Sequence, residues 1–158
     1  MPGSRRSHRS AQISRAMSAI AFNLPRTVTS AADAALLGLA GTHAYVLVTA
    51  VQRPGYLAVY CAAVIIGCVV AAGATWIHVD GIVPPVGWLA GGILCTAFVI
   101  AYPISRLVSL PGVPTLTGRW DLAPGSLALA CAVAFLGLYM TVLSGVNVAF
   151  GQRRGWYD

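Results

Sequence analysis

The sequence predicts an all-α protein, an up-down bundle of four transmembrane helices. Three observations carry that prediction. Four long apolar runs, Ala34–Gln52, Tyr56–Ile77, Val86–Ile104 and Leu127–Phe150, contain no Lys, Arg, Asp or Glu. A hydrocarbon core about 30 Å thick needs roughly 20 apolar residues of helix at about 1.5 Å per residue, and each run is near that length. The chain is 58% hydrophobic and only 9% charged, with a mean hydropathy of +0.77. A water-soluble domain carries about 25% charged residues, so this composition leaves too little polar surface to cover a soluble fold.

The runs divide the chain into a basic cytoplasmic N-terminal tail (1–29), a transmembrane domain (30–151) and a short basic and aromatic C-terminal tail (152–158). The tail before the first run holds a short apolar stretch, Met17–Leu24, interrupted by Ser18 and Asn23 and followed by Pro25 and Arg26. A cleavable signal requires a longer apolar region and a small-residue cleavage site. The segment therefore reads as retained and mobile, or as a short interfacial helix on Ile13, Met17 and Ile20.

The first span is expected over about 31–52. Ser30-Ala31-Ala32-Asp33 has the capping-box pattern, with a carboxylate in the positive first turn of a helix. Gln52-Arg53-Pro54-Gly55 is a breaker sequence, and a connection that short makes the first two spans antiparallel neighbours. The second span is expected over about 56–78 and the third over about 86–105. Trp76 and Trp88 flank the loop between them, as an aromatic belt does. The longest loop, Leu107–Ala123, carries Pro111, Gly112, Pro114 and Gly118. Pro124 suits the first turn of the last span, expected over about 124–149.

Arginine placement sets the orientation. All ten basic residues are Arg and all four acids are Asp. With four spans, the termini and the middle loop share a side, and that side carries seven arginines against three (Arg53, Arg106, Arg119). The positive-inside rule then places both termini in the cytoplasm, in a bacterial cytoplasmic membrane. Arg and Asp usage with abundant Ala, Gly and Val points to a high-GC genome, such as that of an actinobacterium. The formal charge of +6 does not mark a nucleic-acid binder, because the arginines flank apolar spans and lack interleaved aromatics. Their expected partner is the lipid bilayer.

Without a water-driven force between helices in lipid, close backbone approach holds a bundle together. Gly87-Trp88-Leu89-Ala90-Gly91 provides such a smooth face, which packing within one chain explains.

Reactive groups are few. Cys61, Cys68, Cys95 and Cys131 lie inside apolar runs with no CxxC pair, so they read as small hydrophobes. Cys68 and Cys95 share mid-membrane depth, but no Met-rich or Cys-rich motif supports a soft-metal site. Asp33, Asp80, Asp121 and Asp158 sit at span ends or in loops. No GxSxG elbow or phosphate-cradling loop is present. His43 and His78 differ in depth by roughly 20 Å in this topology, which excludes one haem iron between them. The expectation is no cofactor and no metal.

His43 stands near the middle of the first span, where an imidazole needs a partner. A structural hydrogen bond meets that need; the alternative is a ligand or cofactor contact centred on His43 with Tyr45, Thr49 and Arg106. Arg106 opens the stretch Ser105-Arg106-Leu107-Val108-Ser109-Leu110-Pro111-Gly112 at the end of the third span. At a span end its guanidinium is placed to snorkel to lipid phosphates. The stretch resembles that of uncharacterised small four-span integral membrane proteins of actinobacteria, in which an SRxxxLPG-like loop joins the last two spans. The resemblance implies fold and location rather than activity, and makes His43 the counterpart of a histidine in their first span. The acidic residues those proteins carry after the loop and in the fourth span are missing here.

The leading functional expectation is a non-catalytic accessory or structural subunit of a larger membrane complex, with protein partners. The alternative is a small permease or ligand-binding membrane protein centred on His43. A membrane enzyme has the least support.

Overall fold

The computed structural model describes residues 25–49, 54–77, 86–108, 118, 120 and 123–150. The proposed N-terminal tail up to residue 24, the 152–158 tail, His78, Asp80, Asp121, Arg119 and Arg53 lie outside the described residues. The described residues form four helices: α1 (Pro25–Thr49), α2 (Gly55–Ala74), α3 (Val86–Leu107) and α4 (Ala123–Leu143). All four are long and apolar enough to cross a membrane, and no strand occurs among the described residues. Each helix packs on its sequence neighbours, and α1 closes the ring against α4. The result is a multi-pass membrane bundle.

Two boundaries differ from expectation. Helix α1 starts at Pro25, not near Ser30. Proline suits a first helical position because its missing N–H is unneeded there. The early turns also pack: Val28, Thr29 and Ala32 are buried, followed by Leu36, Leu39, Ala40 and His43 at helical spacing. The Ser30–Asp33 pattern therefore lies within the helix and caps nothing. Helix α4 ends at Leu143, short of 149. Gly145, at φ 72°, turns the chain left-handed, and its N–H bonds to the Val142 carbonyl at 3.1 Å. Asn147 then donates from its backbone to the Thr141 carbonyl and from its side chain to Thr141 Oγ1, both at 3.0 Å. The residues from 144 to 150 fold back against the bundle end, where Ala149 is fully buried and the Phe150 N–H donates to Thr29 Oγ1.

The interior is apolar and close-packed. Leu36, Leu39, Cys68, Ala71, Trp88, Cys95, Phe98, Ala132 and Phe135 belong to one buried cluster. Glycine sets the separation of α3 from its neighbours. A Cβ on Gly87 would overlap the backbone of Ala74 and Thr75 on α2, and one on Gly91 would fall 2.5 Å from the Phe135 ring on α4. The GxxxG face is thus occupied within the chain. Val59, Ile66, Val70, Ile93, Ile100, Leu127 and Met140 point outward. That inverts the usual economy of a soluble fold and suits lipid as the surrounding solvent.

Candidate functional site

His43 lies in the bundle interior, only 7% exposed, between α1, α2 and α3. Its Nδ1 is 2.9 Å from the Leu39 carbonyl oxygen one turn back. A carbonyl only accepts, so Nδ1 carries the proton and donates it. The rings of Tyr60 on α2 and Phe98 on α3 meet the imidazole edge-on, with centroids 5.7 and 5.3 Å away. Thr42 Oγ1 also donates to the Leu39 carbonyl, at 2.7 Å. The partner that lipid burial demands is therefore found inside the same helix.

The other residues grouped with His43 are not brought to it. Two residues along a helix turn the side chain by about 200°. Tyr45 accordingly faces outward, 58% exposed. Thr49 is exposed too, and its hydroxyl donates to the Tyr45 carbonyl at 2.8 Å. Arg106 sits two turns beyond Phe98 on α3, about 12 Å further along the axis. What links the two regions is a stack at i, i+4 spacing on α3. Phe98 lies 6.0 Å from Tyr102, and the Arg106 guanidinium carbon lies 5.0 Å from the Tyr102 ring centre.

Arg106 itself departs from the snorkelling expectation. It is 6% exposed and packed against the start of α4, where a Cβ on Gly125 would lie 2.8 Å from Nη2. Glycine at that position leaves room for the guanidinium. Two residues between α3 and α4 lie against this end: the Gly118 N–H donates to the Arg106 carbonyl at 2.9 Å, and Trp120 meets Tyr102 edge-on at 6.1 Å. A buried cation resting on an aromatic face gains the ring's quadrupole attraction in place of water.

A second polar cluster occupies the opposite end of the bundle. Asp33, read from sequence as a cap, accepts hydrogen bonds from Thr75 Oγ1 at 2.8 Å and from the Trp76 indole at 2.5 Å. Phe150 packs on Trp76 at 5.1 Å, and its N–H donates to Thr29 Oγ1 at 3.1 Å. Arg26 completes the cluster, its guanidinium carbon 5.6 Å from the Phe150 ring centre. Trp76 is 41% exposed, as a belt residue is, whereas Trp88 is fully buried against Phe135 and Tyr139. The belt reading is corrected for Trp88, which faces α4 from the glycine-smoothed side of α3.

The four cysteines are free; Cys61, Cys68 and Cys95 are buried and Cys131 is half-buried. Among the described residues no group of three or more His, Cys, Asp or Glu side chains is placed to hold a metal ion. Sequence reasoning missed Tyr60, Phe98, Tyr102 and the Asp33 cluster. The i, i+4 spacing of Phe98, Tyr102 and Arg106 was the signal for the stack. The antiparallel hairpin of the first two spans was the signal for Asp33 meeting Thr75 and Trp76. Comparison with known proteins finds no matching family model, curated protein or solved structure.

Proposed function

We propose that this protein is a non-catalytic accessory subunit of a larger complex in a bacterial cytoplasmic membrane, with both termini in the cytoplasm. The observation that carries the reading is the divergence of its reactive side chains. His43 is turned inward and bonded to Leu39, Tyr45 and Thr49 are turned outward, and Arg106 is buried two turns beyond Phe98, its carbonyl bonded to the Gly118 N–H. Hydroxyls of the spans are engaged locally. Thr42, Ser105 and Thr141 each donate to a carbonyl of their own helix. Such side chains tighten a bundle, and among the described residues they do not converge on a substrate site. The resemblance to the small four-span actinobacterial proteins belongs to the same proposal and adds fold and location. Native mass spectrometry of the protein extracted from its own membrane tests the reading. Co-migrating partner subunits are the expected result, and free monomer alone overturns it.

One observation favours a second reading, a small permease or ligand-binding protein. His43 is an imidazole buried at span depth, and the Phe98–Tyr102–Arg106 stack runs from it to the bundle end. In that reading His43→Ala abolishes binding or flux while the bundle still folds. Unchanged flux removes it, and an optical spectrum of the purified protein tests haem contact through His43 separately.

A further inference from the structure

We propose that His43 and Tyr60 form a binding site for the head of a lipid-soluble quinol. The inference rests on the ligand-binding reading above and names its ligand. Its foundation is an imidazole whose two nitrogens are in different situations. Nδ1 donates its proton to the Leu39 carbonyl at 2.9 Å. A neutral imidazole carries one ring proton, so Nε2 presents a lone pair. Among the described residues no donor reaches that nitrogen. The hydroxyl of Tyr60, whose ring meets the imidazole edge-on, has no hydrogen bond among them either. An acceptor and a donor, both uncommitted, therefore stand on adjoining rings.

The fold places this pair in reach of lipid. His43 stands six residues before the end of α1 and Tyr60 five residues after the start of α2. At about 1.5 Å per residue both lie roughly 8 Å inside the same end of the bundle, about halfway into one leaflet. Tyr60 is two turns before Gly67, on the side of α2 that meets α3, where a Cβ on Gly67 would lie 2.5 Å from Leu94 Cδ1. The seam is closed there, but at Tyr60 it opens outward, since that ring is 40% exposed. Ala63 and Ala101, three residues beyond Tyr60 and Phe98 on their helices, are both exposed. Their small side chains leave room for a flat ring beside the pair.

The occupant follows from depth and from what the nitrogen lacks. Nε2 needs a donor, and acyl chains offer none. A ligand arriving through those chains carries its donor as a neutral hydroxyl, because a charge is costly at that depth. An aromatic O–H donates more strongly than an alkyl one, and a flat head can lie along the exposed Tyr60 ring. A quinol supplies both. Its ring hydroxyl donates to Nε2, and the Tyr60 hydroxyl donates to an oxygen of the same head. Among the described residues no group of three or more ligating side chains is placed to hold a metal ion, so Nε2 is suited to a hydrogen bond. No covalent bond is made or broken, so the site is compatible with a non-catalytic subunit.

The test uses the full chain, labelled with ¹⁵N-histidine, in phosphatidylcholine nanodiscs under argon. Decylubiquinol and decylubiquinone are the probes, and the His43 signals are assigned by their loss in His43→Phe. Decylubiquinol should move the Nε2 resonance as that nitrogen accepts a hydrogen bond, while Nδ1 stays in place. Decylubiquinone has no O–H to donate and should leave Nε2 unmoved. One hydrogen bond between neutral groups changes an affinity by about fivefold, so the quinol should bind about fivefold more tightly than the quinone. His43→Phe should erase that preference. Tyr60→Phe keeps the ring and should weaken quinol binding about fivefold with the fold intact. Tyr139→Phe removes a hydroxyl stacked near Trp88 on the far side of the bundle and should change nothing. Equal binding of the two probes, or full affinity in Tyr60→Phe, overturns the proposal. If dodecanol moves Nε2 as far as decylubiquinol does, the quinol assignment falls while the ligand-binding reading stands. If neither moves it, the proposal falls, and unchanged flux in His43→Ala then removes that reading separately. A haem absorption band in the purified protein would assign Nε2 to iron and overturn the proposal.

Discussion

The two ends of the bundle are closed by different physics. At the end where α1 starts and Phe150 returns to it, closure is by hydrogen bonds between distant parts of the chain. Thr75 and Trp76 reach Asp33 across the α1–α2 pair, and Phe150 reaches Thr29 across more than a hundred residues. At the other end closure is by stacking. Phe98, Tyr102 and Arg106 lie one above another on α3, with Trp120 and Gly125 against them. Hydrogen bonds between helices are directional and fail when one partner is lost. Stacks are tolerant, because a neighbouring ring or methylene shifts to fill the space. The stitched end should therefore govern whether the bundle forms, and the stacked end should govern how Gly118 and Trp120 are held against it.

The largest effect is expected at the stitched end from Gly87→Leu. Its side chain would have to occupy the space of the α2 backbone at Ala74 and Thr75, which has no rotamer to yield. Overpacking a rigid site costs about 3 kcal/mol or more, and here α3 would separate from α2. Thermal unfolding in detergent, followed by circular dichroism, should show loss of the cooperative transition. A transition within a few degrees of wild type would mean that the α2–α3 contact is softer than the geometry implies.

Asp33→Ala comes next. It strips the acceptor from Thr75 and from the Trp76 indole together. Losing bonds to a charged acceptor costs about 1.5–3 kcal/mol. Asp33→Asn keeps one acceptor oxygen and should fall between wild type and alanine. If alanine and asparagine are equally harmless, the pair of bonds does not hold α1 to α2, and the contrast between the ends disappears.

At the stacked end, Tyr102→Leu keeps bulk and removes the aromatic face beneath Arg106. A cation–π contact contributes about 0.5–2 kcal/mol depending on how dry it is. The bundle should persist while the contacts of Gly118 and Trp120 loosen, giving faster hydrogen exchange at the Gly118 amide and a small loss of thermal stability. A global loss as large as that of Asp33→Ala would show that both ends share the same cooperative unit.

The difference between the ends also explains what was legible in the sequence. The four spans were readable because lipid forbids unsatisfied backbone, so a long uncharged run has one outcome, a helix. Span limits were less readable. Hydropathy marks where lipid is tolerated, whereas Val28, Thr29 and Ala32 extend α1 by packing on protein. Of the candidate site, the burial of His43 was legible and its grouping with Tyr45 and Thr49 was not. Nearness along the chain suggested a cluster, but helical rotation sends positions 43 and 45 to opposite sides. Trp88 shows the same limit, since a belt argument ignores direction and the buried Gly91 and Gly92 mark its inward face. Asp33 needed its second helix in place before its role could be read.

The smallest effect, and the sharpest test of the comparison, is Thr29→Val. The two side chains are near in volume, so the change removes the acceptor for the Phe150 N–H with little repacking. Thr29 is fully buried, and the orphaned N–H would lie at a bundle end where water replaces part of the lost bond. About 1 kcal/mol is expected in thermal stability. Backbone hydrogen exchange should report more than the melting temperature does. The Phe150 amide should exchange much faster, and Gly118, bonded to Arg106 at the far end, should not change. If both amides respond together, the stitched end and the stacked end open as one. The hydrogen bonds across the chain would then be coupled to the α3 stack through the core between them, with no independence left to the two closures.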